Sequence, residues 1–186
     1  MTFNLAASLQ RIRPEKWRGQ LAARPRQALL AAAHATPDQA RRLLLDTNVY
    51  IHLAAGSLPV EALALVEHAV AYHSSVCAGE LAAGIANADP SHPSWRPMRD
   101  HYQAQIAGFP KTRLFTPDAA IWAEASLIAG TLARCQNWQR HQRKEALNDA
   151  LIYITAAKAG IPVLTADRED FDLIQQVAPF GRFIYF

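Results

Sequence analysis

Apolar residues along this chain follow two different rhythms. Short unbroken runs such as Leu43-Leu44-Leu45 and Val163-Leu164 suit strands covered on both faces, as in a parallel sheet. Between such runs the apolar positions recur every three or four residues, as at Leu63, Val66 and Val70, which is the spacing of a helix with one buried side. On this basis strands are predicted over 42–46, 74–77, 112–115, 161–165 and 183–186. Pro162 falls near the start of the fourth, where a missing ladder donor is tolerated. Helices are predicted over 61–72, 78–86 and 98–106, from Thr116-Pro117 to about Cys135, and over 147–159, which Gly160 would terminate. The proline-rich stretch 89–97 reads as a loop, and the polar tract 136–145 as a loop or a helix extension.

Ahead of the first strand, residues 14–35 are rich in Ala, Leu, Gln and Arg. They favour one or two helices, interrupted by Gly19 and Pro25. Thr36 is a candidate N-cap, with Pro37 at the first helical position and Asp38 in the first turn. Strands alternating with helices imply right-handed βαβ units and an α/β architecture, helices flanking a mostly parallel sheet of four to five strands. The expected division is a basic helical extension over 1–40 and a single α/β domain over 41–186.

Composition narrows the class. With 51% hydrophobic and 19% charged residues among 186, the chain has the make-up of a folded globular protein. It has neither a signal-length apolar stretch nor one long enough to cross a membrane. Cys77 and Cys135 form no CxxC pair and no zinc-ligand spacing, so a reducing, cytoplasmic setting is expected. None of the seven histidines, His34, His52, His68, His73, His92, His101 and His141, sits in HExxH-like spacing. The net charge of +3 is uneven: residues 1–45 hold eight basic and two acidic side chains, +6, leaving −3 for the rest. A basic arm suits a polyanionic partner, and a solvated helix face accounts for it equally well.

Four acids fall where a parallel sheet places its ligands, outside the carboxyl ends of the strands. Asp46 closes the first strand, Glu80 is expected to open the helix after the second, Asp149 to begin the helix before the fourth, and Asp167 follows that strand. Singly each has an ordinary explanation: Asp149 as a complement to a helix dipole, Asp167 as a turn residue. Together they raise an electrostatic problem. Two like charges about 4 Å apart repel by roughly 4 kcal/mol at an effective dielectric near 20, so gathered carboxylates must take up protons or a cation. An all-oxygen donor set favours Mg2+ or Mn2+ over zinc.

The segments carrying these acids are LLLDTNVY (43–50), SVCAGELAAG (75–84), NDALIYITAA (148–157) and VLTADREDF (163–171). In content and order they resemble the PIN-domain family, in particular the VapC-like toxins of type II toxin-antitoxin pairs. The resemblance implies a three-layer α/β/α fold and an Mg2+- or Mn2+-dependent endoribonuclease leaving a 5′-phosphate and a 3′-hydroxyl. It assigns Asp46, Glu80, Asp149 and Asp167 as catalytic metal ligands. Thr47, Asn48 and Thr165 would brace the site by hydrogen bonds, with Asp170 supporting or merely capping a helix. It further implies an RNA substrate, a cognate antitoxin whose tail covers the groove, and a homodimer. Two features depart from the family pattern: the arm before Arg42 is long, and the stretch between Glu80 and Asp149 is roomy. In that stretch Trp138, amid Arg134, Arg140, Arg143 and Lys144, is a candidate for stacking on an unpaired base, with a solvated basic loop as the alternative.

Competing readings are weaker. A dehalogenase-like phosphatase needs a second acid two residues after the first, where this chain has Asn48, and a receiver domain needs an acidic pair before its first helix. A non-toxin PIN nuclease in RNA processing, and a non-catalytic PIN-like binding module, remain as alternatives within the fold.

Overall fold

The computed structural model describes residues 4–186, apart from the side chains of Arg140 and His141. Met1 to Phe3, part of the predicted extension, lie outside the described residues. In chain order the elements are α1 (Leu5–Ile12), β1 (Arg42–Leu45), α2 (Thr47–Ala54), α3 (Val60–His68), β2 (Val70–Ser74), α4 (Ser75–Asn87) and α5 (Trp95–Ala107). There follow β3 (Leu114–Phe115), α6 (Ala119–Cys135), α7 (Arg140–Ala159), β4 (Val163–Thr165), α8 (Arg168–Val177) and β5 (Phe183–Tyr185).

The five strands form one parallel sheet in the order β3-β2-β1-β4-β5. The chain adds strands outward on one side of β1 and then returns to the other. The switch between β1 and β4 opens a crevice at their carboxyl ends. Leu43, Leu44, Val163 and Leu164 are fully buried, which is why these strands carry apolar residues without alternation. Helices flank the sheet in a three-layer α/β/α sandwich: α6, α7 and α8 pack on one another, and α2 and α5 pack on α4. Among the described residues no helix is long and apolar enough to cross a membrane.

Residues 14–35 are not helical as predicted. They form an extended strap with three 3-10 turns at Pro14–Lys16, Arg26–Ala28 and Ala32–His34. Gly19 at φ 82° and the prolines break any helix, and the body supplies the strap's hydrogen bonds instead. Arg134 donates to the carbonyls of Pro14 and Trp17, Gln136 to Leu21 and Gln176 to Ala22. Arg24 pairs with buried Asp172 and donates to Gln175, and Tyr185 N donates to Leu30 O beside the edge strand. The helix of the extension lies earlier, at Leu5–Ile12, where Asn4 caps its start. The helix predicted from Thr36 is a single turn closed by Ala40 N donating to Thr36 O.

Other boundaries moved in ways that matter for the site. The second strand ends where it was predicted to begin: Ser74 accepts from Val76 N and caps α4, so 75–77 are helical and β2 takes up 70–74. The helix predicted over 61–72 therefore stops at His68. At the other end α7 starts at Arg140 with a capping box between Gln139 and Gln142, turning half of the polar tract into helix.

Candidate metal centre

Asp46 leaves β1 in extended conformation and caps α2, its Oδ1 accepting from Thr47 N at 2.7 Å. Its Oδ2 accepts from Asn48 Nδ2 and from Thr165 Oγ, each at 2.6 Å. Asn48 is held in turn by Ala166 N, which donates to its Oδ1 at 2.9 Å, fixing the amide with its NH2 toward Asp46. The Thr165 hydroxyl also accepts from Asp167 N at 2.9 Å. Thr47, Asn48 and Thr165 thus tie the ends of β1 and β4 together around one carboxylate.

Glu80 reaches the same place from the second turn of α4 rather than from its opening. It accepts from the Thr47 hydroxyl and, at 2.7 Å, from Asn148 Nδ2. Asp149 lies mid-way along α7 rather than at its start. The helix-dipole explanation for it therefore fails, since that effect is confined to the end turns. Asp149 shares a helical face with buried Ile152 and Tyr153, so the helix that packs the core also aims this acid inward. Asp167 caps α8 and accepts from Asp170 N at 3.4 Å. Asp170 is consequently not the capping residue but the third residue of that helix.

Two tight groups result, each with ligand atoms within 4.8 Å of one another: Asp46, Cys77 and Glu80, and Asp149, Asp167 and Asp170. Their charges are felt between the groups. Burial holds Asp46 at about 7, the hydrogen bonds from Thr165 and Thr47 lower it, and the charges of Glu80 and Asp167 raise it. Burial, then Asp46, Asp167, Asp170 and Glu80, push Asp149 well above the usual carboxylate range. Asp167 is raised and Asp170 stands at about 6, burial again leading. None of these five acids forms an ion pair among the described residues. Gathered carboxylates without a cationic side chain are a donor set that a divalent ion would complete.

Cys77 was not anticipated here. It lies one helical turn before Glu80, its thiol donates to Leu45 O, and burial keeps it protonated. The thiol is thereby engaged in packing, and the other five candidate donors are all carboxylates. Asn148, adjacent to Asp149, contacts Glu80, a role for which the sequence carries no separate signal. The basic tract divides. Arg134 is engaged by the strap, Arg143 Nε donates to Trp138 O, and Trp138 packs half-buried against the core. Lys144 faces a different groove, beside Glu80, and the side chain of Arg140 lies outside those described.

A sequence profile described as the PIN domain matches residues 43–176. The chain belongs to the PIN domain family. All five acids fall inside the PIN match, and the strap falls outside it. Solved structures share the PIN fold at low identity. VapBC-5 from Mycobacterium tuberculosis, a member of the VapBC family of toxin-antitoxin systems, is 22% identical with a TM-score of 0.56, covering 78% of this chain and 99% of that one. FitAcB from Neisseria gonorrhoeae is 20% identical with a TM-score of 0.54, covering 77% and 96%. VapBC2 from Rickettsia felis, bound to a DNA fragment from its promoter, is 13% identical with a TM-score of 0.53, covering 78% and 98%. No curated protein matches the sequence.

Proposed function

We propose that this PIN protein is a divalent-metal-dependent endoribonuclease and the toxin of a toxin-antitoxin pair. The observation that carries the nuclease reading is the convergence of carboxylates from four separate segments, unpaired with any cation among the described residues. Asp46, Glu80, Asp149 and Asp167 are assigned as the ligands of Mg2+ or Mn2+, with Asp170 in support. When bound, the ion supplies a water of lowered pKa and a counter-charge for the phosphate. Thr47, Asn48 and Thr165 hold Asp46 and Glu80 in place, so that these oxygens face the crevice without reorganising.

The toxin reading rests on the VapBC likeness and implies an antitoxin segment that covers the crevice, a homodimer and a cytoplasmic setting. Residues 41–186 would be the nuclease domain and 1–40 its extension. The test is cleavage of defined RNAs by the purified protein with Mn2+ or Mg2+, with end-group analysis for a 5′-phosphate and 3′-hydroxyl. Asp46→Asn is expected to abolish cleavage while preserving the circular dichroism spectrum. An active Asp46→Asn protein would refute the assignment.

A further inference from the structure

A groove of about 380 Å³ opens beside the carboxylates, between α4, the start of α6 and α7. Glu80 and Asn148 are among its lining residues, so it adjoins the metal centre at Glu80. Trp122 and Pro117 give its lining an apolar part and Lys144 a basic one, with Gly79 also lining it. Trp122 is 48% exposed although its helix neighbours Ile121 and Ala125 are buried, and a Cβ added at Gly79 would meet nothing within 4 Å. Lys144 stands one helical turn before Asn148, which donates to Glu80, so both point to the same side of α7.

We propose that this groove is a subsite for an unpaired nucleobase of the RNA strand next to the cleaved phosphate, stacked on Trp122 with its own phosphate at Lys144. The proposal rests on the nuclease reading and names the part of the substrate that the carboxylates do not touch. The chemistry is complementary to both parts of the lining. A base offers a π-face to an exposed indole, in any sequence, and the backbone that carries it brings a negative charge to the lysine. Glu80, a proposed ligand, also lines the groove, which puts its occupant next to the reacting phosphate. Trp138, the aromatic that the basic tract favoured, lacks this position.

The test pairs Trp122→Ala and Trp122→Phe with an unstructured oligoribonucleotide and with versions carrying an abasic nucleotide at single positions flanking the cut. Trp122→Ala is expected to lower kcat/KM on the intact RNA roughly 5- to 150-fold, mostly through KM, and Trp122→Phe to keep most of it. At one flanking position the abasic RNA should show the same loss with the wild type and no further loss with Trp122→Ala. Equal cleavage by wild type and Trp122→Ala, or an abasic penalty that survives Trp122→Ala, overturns the subsite and leaves the nuclease. A fall in solution mass on Trp122→Ala, measured by light scattering, overturns it in favour of a contact between copies. Absence of metal-dependent cleavage by the wild type overturns the nuclease reading and the subsite with it.

Discussion

Replacing Asp46 with asparagine has consequences for stability that can be worked out before any substrate is added. Asp46 is 3% exposed, and burial pushes its carboxyl up to about 7 from 3.8. A group raised in the folded state stabilises the fold below its unfolded pKa and loses that contribution as pH rises through the folded one. The window is therefore pH 4 to 7, and the loss amounts to about 4 kcal/mol in the metal-free protein. Asparagine carries no charge and escapes it. Against this, Asn48 presents its NH2 to Asp46 with its orientation fixed by Ala166 N, so the new amide cannot satisfy every donor around it, a penalty of about 1 to 3 kcal/mol. Asp46→Asn should then be less stable than wild type by about 1 to 3 kcal/mol at pH 4 and more stable by a similar amount at pH 8. Asp149 is raised partly by the Asp46 charge, so its own shift shrinks in the variant and adds to the gain at pH 8. Urea unfolding with EDTA at the two pH values measures it. A stability difference that does not change between them would refute the claim that Asp46 is a desolvated carboxylate awaiting a cation.

Three further outcomes follow from the same geometry. At pH 7.5 Mn2+ should raise the melting temperature, because an ion at about 100 times its Kd adds about 2.7 kcal/mol, or roughly 5 to 11 °C for a chain of this size; calorimetry showing no shift in wild type, or an equal shift in Asp46→Asn, would contradict the centre. Asn48→Ala, which removes the link between Asp46, Thr165 and Ala166, should cost about 10- to 100-fold in Mn2+ affinity or cleavage, read by isothermal titration; unchanged affinity would make the link dispensable. Arg24→Ala leaves Asp172 buried with only Arg24 N and Gln176 as donors, and since Arg24 is itself about a third exposed the expected loss is about 2 kcal/mol in urea unfolding; a loss below about 0.5 kcal/mol would show that the strap is held elsewhere.

Sequence legibility followed how local each signal is. The buried strands were readable because Leu43 to Leu45 and Val163 to Leu164 need no partner to declare that both faces are covered. The caps at Ser74 and Gln139 were missed because Ser, Val and Cys read equally well as strand or as a helix start, and only packing chooses. That choice moved Glu80 into the second turn of α4 and Asp149 to the middle of α7. The strap was misread for a related reason: Ala and Leu favour helix intrinsically, but carbonyl contacts from Arg134, Gln136 and Gln176 compensate an extended path.

By itself, then, the order of residues determined which acids would come near one another, because strand periodicity and topology send Asp46, Glu80, Asp149 and Asp167 to one edge of the sheet. Tertiary structure alone decided the rest: that Asp170 joins them, that Cys77 sits among them as a protonated thiol, and that Trp122 rather than Trp138 stands beside the crevice. Those are questions of distance between segments far apart in the chain. Such distances are set by how helices pack on a sheet, which no single window of sequence records.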